Sequence, residues 1–280
     1  MAATLREQLQ AKRFGLVLSA GFFGFYGHAG FVRGLERAGL SPAAYAGTSA
    51  GALVAAYAAA GMDAGALGEM VLSHPRAAFW DPDPLGALRD GLRHGFTGLL
   101  RGERLRELLA STLPVATFEA CVKPLVVVAM ALESGEGRAF TRGPLAPPVH
   151  ASCAYPGLFR AARVEEHLYW DGGLVDKAPV RALALSDAGR DLDTFVVHYL
   201  PSRISPRVSG ALAYVQGMTA ALGGLRRAHF ELQVEALRAA GKVVHVVTSA
   251  LPSVSPRAMH LGRAAMDAGE RSALAALESA

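Results

Sequence analysis

The pentapeptide Gly47-Thr48-Ser49-Ala50-Gly51 constrains this chain more than any other stretch. It follows a short apolar run, Ala43-Ala44-Tyr45-Ala46, and precedes Ala52-Leu53-Val54-Ala55-Ala56-Tyr57-Ala58-Ala59-Ala60, whose composition is helical. A serine with glycines two residues to either side, between strand and helix, is the pattern of a nucleophile elbow. Such a turn is sharp and strained, and a Cβ at Gly47 or Gly51 would collide with neighbouring backbone. The helix that follows aims its first N–H groups at an oxyanion forming beside the serine. Chains rich in Gly and Ala also produce G-x-S-x-G as an ordinary turn. The position between strand and helix therefore carries the catalytic reading.

A chain of 280 residues, 51% hydrophobic and 19% charged, is long and apolar enough to bury one large core. One domain is expected over residues 1–280. The net charge of +4 is spread along the chain with Arg and Glu interleaved, which gives no nucleic-acid footprint. Cys121 and Cys153 share no metal-ligand spacing and form no disulfide framework, so a reducing, cytoplasmic compartment is expected.

Two uncharged or nearly uncharged stretches, Phe14 to Val32 and Ala38 to Met62, have the length of membrane spans. Their glycines, Pro42 and the elbow read better as buried strand-turn-helix units, so no transmembrane segment is expected. Lys12 and Arg13 before an apolar run ending Leu18-Ser19-Ala20 have the form of a signal peptide. Cleavage there would remove the first core strand, which argues against export.

Phe14-Gly15-Leu16-Val17-Leu18-Ser19 reads as a buried strand, followed by a loop from Ala20 to Gly27 and a helix from His28 to Ala38 that stops at Gly39. G-x-G-x-x-G and the P-loop lysine are both absent, so the loop is not a nucleotide site. It is better suited to donating backbone N–H groups to a transient anion. Residues 62–120 read as mostly helical, broken at His74-Pro75 and Asp81-Pro82-Asp83-Pro84, with Asp81 and Asp83 as turn and cap residues rather than metal ligands. From Leu85 to Ala110, Leu88, Leu92, Phe96, Leu99, Leu105 and Leu109 alternate with Arg89, Arg93, Arg101, Arg104 and Arg106. That pattern fits a helix pair on the sheet with a solvated face, and also a surface lying on anionic lipid.

Pro124 to Ala131 is the strongest strand and belongs in the middle of a sheet; Arg138-Ala139-Phe140 follows as another strand. Leu168-Tyr169-Trp170-Asp171-Gly172-Gly173 places a carboxylate at a tight turn, which by itself equally describes a hairpin. Thr194 to Tyr199 and Val243 to Val247 are further strands, separated by a helix from about Gly210 to Ala239, and a last helix begins near Ala258. Strands alternating with helices imply an α/β fold, a mainly parallel sheet covered on both faces in three layers.

A serine nucleophile needs a base, but His198 and His245 sit inside apolar strand runs and His260 has no motif around it. The elbow also comes earlier than in an α/β-hydrolase, after only the second strand. Taken in order, the Gly-containing loop, His28-Ala29-Gly30, the elbow, Ala151-Ser152-Cys153-Ala154-Tyr155-Pro156-Gly157 and Asp171-Gly172-Gly173 resemble the patatin-like phospholipase family. The resemblance covers roughly residues 14–179, with 180–280 completing the same domain. It implies a Ser–Asp dyad without histidine, carried onto Ser49 and Asp171, with Gly47, Gly51 and Gly172 as the motif glycines.

One region departs from that family. Its oxyanion loop is typically Gly-Gly-Gly-x-Arg/Lys-Gly, whereas this chain has Ala20-Gly21-Phe22-Phe23-Gly24-Phe25, with Gly24 at the basic position. The resemblance assigns the oxyanion donors to the backbone N–H groups of Gly21 and Phe22. Phe22, Phe23, Phe25 and Tyr26 are equally suited to lining an acyl-chain channel and to packing in the core. The implied activity is hydrolysis of fatty-acyl esters of lipids through an acyl-serine, with no metal or other cofactor and with peripheral contact at a membrane surface. The same acyl-serine would also serve an acyltransferase or thioesterase, and a weakened loop would suit a lipid-binding protein. Because a carboxylate of pKa about 4 is a poor base for an alcohol, burial should raise that of Asp171.

Overall fold

Along the central strands, successive side chains enter two separate cores. Leu16, Leu18, Tyr45, Val127 and Ala129 belong to one, and Val17, Ala44, Ala46, Val126 and Val128 to the other. Strand alternation has this consequence when both faces of a sheet are covered. The computed structural model describes residues 3–86, 97–202 and 213–279. Its strands are β1 (Phe14–Leu18), β2 (Ala44–Thr48), β3 (Gly98–Leu100), β4 (Leu125–Ala131), β5 (Gly137–Phe140), β6 (Gly157–Phe159), β7 (Ala162–Val164), β8 (His167–Asp171), β9 (Thr194–Tyr199) and β10 (Val243–Thr248). Its helices are α1 (Leu5–Ala11), α2 (Phe25–Arg37), α3 (Ala50–Ala59), α4 (Ala64–Ser73), α5 (Glu103–Thr112), α6 (Ala146–Ser152), α7 (Val180–Leu185), α8 (Ala213–Ala239) and α9 (Gly262–Leu277).

The main sheet runs β10-β9-β1-β2-β4-β8-β7, with β5 also on β4. From β10 to β4 the pairs are parallel, whereas β4 meets β5 and β8 antiparallel. The fold is thus the expected three-layer α/β arrangement with a mainly parallel sheet. The long apolar β4 takes the middle position that its composition calls for, between β2 and β8.

Two local readings need correction. Helix α2 begins at Phe25, three residues ahead of the expected His28, because Tyr26 and Gly27 are buried against the α9 side of the molecule. There the two backbones nearly touch: a Cβ on Gly30 would lie 1.8 Å from the carbonyl oxygen of Met266, and one on Gly269 would lie 2.0 Å from that of Gly27. Second, Gly98–Leu100 is a strand, paired in parallel with β6, inside the stretch read as mostly helical. A Cβ on Gly98 would meet the Phe159 backbone at 2.2 Å, so pairing with a distant segment overrides the local helical pattern. The strand expected at Val243 to Val247 is present as β10, at the sheet edge with Val243 and Val246 exposed. Leu88, Arg89, Leu92, Arg93 and Phe96 lie outside the described residues.

Asp81 and Asp83 serve as acceptors near the start of α5. Asp81 takes the N–H groups of Gly102 and Arg104, and Asp83 pairs with Arg101 and Arg160. No helix among the described residues is long and apolar enough to cross a membrane.

Candidate active site

Register alone brings Ser49 and Asp171 together. Thr48 at the end of β2 pairs with Val128 of β4, and Asp171 at the end of β8 pairs with Ala129 of the same strand. One strand therefore separates the turn after β2 from the end of β8. Ser49 Oγ reaches over it and donates a hydrogen bond to Asp171 Oδ2 at 2.6 Å.

Ser49 holds φ 56° and ψ −123°, a conformation that a non-glycine residue adopts only when its surroundings enforce it. The enforcement is visible on both sides. A Cβ on Gly47 would lie 2.4 Å from the Gly51 backbone, and one on Gly51 would lie 2.0 Å from the Leu18 carbonyl oxygen. The Ser49 N–H donates to Ser152 Oγ at 2.8 Å, and Ser152 Oγ donates in turn to the Val128 carbonyl at 2.6 Å. Ser152 thus anchors the elbow to β4 from α6. Its role is not legible in the sequence, because a serine that bonds only backbone has no spacing signature.

Asp171 is only 4% exposed. Its Oδ1 accepts the Gly173 N–H at 2.7 Å, which fixes the carboxylate and leaves Oδ2 to the serine. Gly172 lets the chain turn there, since a Cβ would sit 2.1 Å from the Val128 carbonyl oxygen. Burial pushes the Asp171 carboxyl up to about 6, against the hydrogen bonds from Ser49 and Gly173 and the charge of Arg226. A carboxylate of that basicity, 2.6 Å from an alcohol, can accept its proton near neutral pH.

The loop from Ala20 to Gly24 lies beside this pair, and a Cβ on Gly173 would meet Ala20 Cβ at 2.6 Å. Ala20 N–H is engaged by the Lys177 carbonyl and Gly24 N–H by the Gly21 carbonyl. Among the described residues no acceptor takes the N–H of Gly21 or Phe22. Phe23 is held at φ 55°.

Above the serine opens a cavity of about 830 Å³, walled largely by apolar and aromatic side chains that include Leu53, Tyr57, Phe79, Trp80 and Leu109. Phe22, Phe23, Phe25 and Tyr26 all line it. The two alternatives for these rings merge: Phe23 and Tyr26 are buried against the core and still form cavity wall, while Phe22 is 59% exposed. At one end the wall turns polar, with Lys177, Ser202 and Arg226. No sequence motif marked Lys177 or Arg226.

His28 and His198 are engaged with each other, away from Ser49. His198 is fully buried between His28 and Ser249, with Nδ1 2.8 Å from His28 Nδ1 and Nε2 2.8 Å from Ser249 Oγ. His28 Nε2 donates to the Ser19 carbonyl at 2.8 Å. Two neutral tautomers satisfy this chain: His198 Nδ1–H donates to His28 Nδ1, and the Ser249 hydroxyl donates to His198 Nε2. Among the described residues no histidine bonds Ser49, whose oxygens and N–H meet Leu53, Ser152, Cys153 and Asp171. No cluster of His, Cys, Asp and Glu suited to a metal ion occurs among the described residues.

Comparison with known proteins gives a concordant picture. A family model described as patatin-like phospholipase matches residues 16–184. An uncharacterized NTE family protein of Mycobacterium tuberculosis is 30% identical over 172 residues, spanning 61% of this chain and 46% of the relative. A second such protein from the same organism is 28% identical over 185 residues, 66% of this chain and 30% of the relative. The chain thus spans less than half the length of these curated relatives. Among solved structures, VipD from Legionella pneumophila shares the fold, with a TM-score of 0.56 at 16% identity over 95% of this chain and 67% of that one.

Proposed function

This chain belongs to the patatin-like phospholipase family, and from that premise we propose that it is a serine lipid acyl hydrolase that cleaves fatty-acyl esters through an acyl-Ser49 intermediate. The observation that carries the reading is the 2.6 Å hydrogen bond from Ser49 Oγ to the buried Asp171 carboxylate at the foot of an apolar cavity.

In this reading an acyl chain occupies the cavity and presents its ester carbonyl to Ser49. Asp171 Oδ2 takes the hydroxyl proton as Oγ attacks the carbonyl carbon. The oxyanion of the tetrahedral intermediate is received by the unengaged N–H groups of Gly21 and Phe22, aided by the N-terminus of α3. The proton on Asp171 then passes to the leaving alcohol. A water molecule takes the alcohol's place, loses a proton to Asp171 and attacks the acyl carbon; the bond to Ser49 Oγ then breaks, Asp171 returns the proton to Oγ, and the fatty acid is released. Anchoring by Ser152 and the glycine contacts keeps Ser49 in its strained pose throughout, so little reorganisation accompanies attack.

The test combines labelling and turnover. A fluorophosphonate probe should label the wild-type protein and leave Ser49→Ala unlabelled. Hydrolysis of fatty-acyl esters should fall by at least about 10³-fold in Ser49→Ala and in Asp171→Asn, the scale expected when a nucleophile or its base is removed. Labelling that persists in Ser49→Ala, or turnover that survives both substitutions, would refute the assignment.

A further inference from the structure

The chain has four lysines, Lys12, Lys123, Lys177 and Lys242, and of these Lys177 is the buried one. It is 4% exposed, in the wall of the cavity over Ser49, and the catalytic scheme leaves it unused. Its backbone is fixed to the loop at the foot of the cavity, because its carbonyl accepts the Ala20 N–H at 2.7 Å. Its side chain meets no carboxylate among the described residues. Nζ donates to Ser202 Oγ at 2.8 Å and lies 4.8 Å from the centroid of the Tyr199 ring. The adjacent carboxylate, Asp176, accepts from Gln233 instead. Burying a cation without a counter-ion is costly, and a lysine escapes that cost by giving up its proton.

Burial and the like charge of Arg226 push the Lys177 ammonium down to about 7. Near neutral pH a large share of this side chain is therefore free amine, whereas a lysine of ordinary pKa about 10.4 offers roughly one free amine in 10³. A desolvated lysine beside a second cation is the arrangement in which the amine attacks carbonyl carbon. Arg226 lines the same end of the cavity. Its Nη1 donates to the Gly173 carbonyl and its Nε to the Leu222 carbonyl, which leaves N–H groups of the fork for an oxygen held beside Lys177. The rest of the wall, with Leu53, Tyr57, Phe79, Trp80 and Leu109, suits an alkyl chain. The ligand this corner calls for thus carries an electrophilic carbonyl at the end of a hydrocarbon chain.

We propose that Lys177 is a covalent binding site for long-chain aldehydes, which condense with its Nζ to an imine while their alkyl chain fills the apolar cavity. The Nζ lone pair adds to the carbonyl carbon, and one amine proton passes to the carbonyl oxygen, giving a carbinolamine. The C–O bond then breaks, the oxygen leaves as water with the second amine proton, and a C=N bond remains. No oxidant or reductant takes part, and water reverses the step. Arg226 holds the carbonyl oxygen as Nζ adds, and Ser202 orients the amine. The adduct forms without Ser49, so the proposal does not rest on the hydrolase reading.

The experiment traps the imine. Wild type is mixed near neutral pH with equimolar dodecanal and sodium cyanoborohydride, which reduces an imine to a stable secondary amine and spares the free aldehyde. Peptide mass mapping then reads which lysine carries the dodecyl group. Alkylation of Lys177 should run at least about tenfold faster than that of Lys12, Lys123 and Lys242 together. Dodecanol, which has the chain without the carbonyl, should slow it. Butanal, which has the carbonyl without the long chain, should lose the preference for Lys177. Lys177→Met and Lys177→Arg should both lack the fast reaction. The mapping on wild type decides the matter even where neither variant folds, because the site is read directly. Alkyl groups spread evenly over the four lysines would overturn the proposal, as would a rate at Lys177 that dodecanol leaves unchanged. Equal preference with butanal would overturn it too, by removing the alkyl chain from recognition. Failure of the hydrolase reading would appear separately, as absent ester turnover and absent Ser49 labelling.

Discussion

Asp171 can act as a base only while ionised, and its burial sets the pH at which that holds. With its carboxyl raised to about 6, kcat/KM for ester cleavage should rise with pH along a limb centred near 6 and level off above about 7. A limb near 4, where an exposed aspartate titrates, would show that the carboxylate is not desolvated during catalysis. The same shift has a consequence for stability. A carboxyl whose folded pKa lies above its unfolded value of about 3.9 favours the folded state fully below pH about 4, and that contribution is lost as pH rises through 6. Charge on Asp171 thus destabilises the protein at neutral pH by something on the order of 2 to 3 kcal/mol. Asp171→Asn keeps an oxygen for the Gly173 N–H and an amide for Ser49. It should be inactive yet unfold at higher urea than wild type at pH 8, with the advantage gone at pH 4. Equal midpoints at pH 8 would contradict the desolvation argument.

Helix α8 shows what an element does that no single residue reveals. Tyr214, Met218, Leu222, Leu225 and Leu232 recur on one side of it at helical spacing, and all are exposed, Tyr214 by 78% and Leu225 by 68%. Roughly a quarter-turn away, at about 100° per residue, Thr219 and Arg226 enter the cavity wall. If the cavity takes lipid as proposed, an apolar stripe on the helix that supplies part of its wall is suited to lie in the headgroup region of a bilayer. Replacing Leu222 and Leu225 together by serine should lower cleavage of phospholipid in vesicles about tenfold while leaving a short water-soluble ester unaffected. Equal losses on both substrates would assign the stripe to folding instead. The sequence made this helix legible from its length and the elbow from its glycines. It did not reveal that Gly98–Leu100 pairs with β6, nor that helix α2 starts at Phe25. Both depend on contacts with segments about 60 to more than 200 residues away, which local periodicity does not record. Ser49 and Asp171 were readable because glycines mark their turns. Ser152, Lys177 and Arg226 carry no such punctuation, and they reach the site from a helix, a loop and another helix that only tertiary packing brings together.

Across the whole molecule, buried imidazoles shape the response to acid, and the histidine pair of the core is the clearest case. His28 and His198 join α2 to β9, with Phe31 stacked on His198 at 4.1 Å, and both rings are fully buried. Burial lowers His28 to about 4, and lowers His198 as well, where the neighbouring His28 adds to the effect. In the unfolded chain each ring takes a proton near pH 6.5, so between about 6.5 and 4 the unfolded state binds more protons than the folded one. Stability is therefore fully present above 6.5 and is lost as pH falls toward 4. Asp171 acts in the opposite sense over part of the same window, because its folded form takes up a proton near 6. His150, which burial also lowers to about 4, adds to the same uptake, so around pH 5 the imidazoles outweigh the one carboxyl and unfolding takes up protons on balance. Asp171→Asn removes the opposing uptake and should make the fall in stability from pH 7 to 4.5 steeper than in wild type, even though the variant is the more stable protein at pH 8. Urea titrations of both proteins at half-unit steps from pH 7 to 4.5 measure the two slopes directly. Parallel curves would mean that the carboxyl and the imidazoles do not titrate in the folded protein as their burial requires.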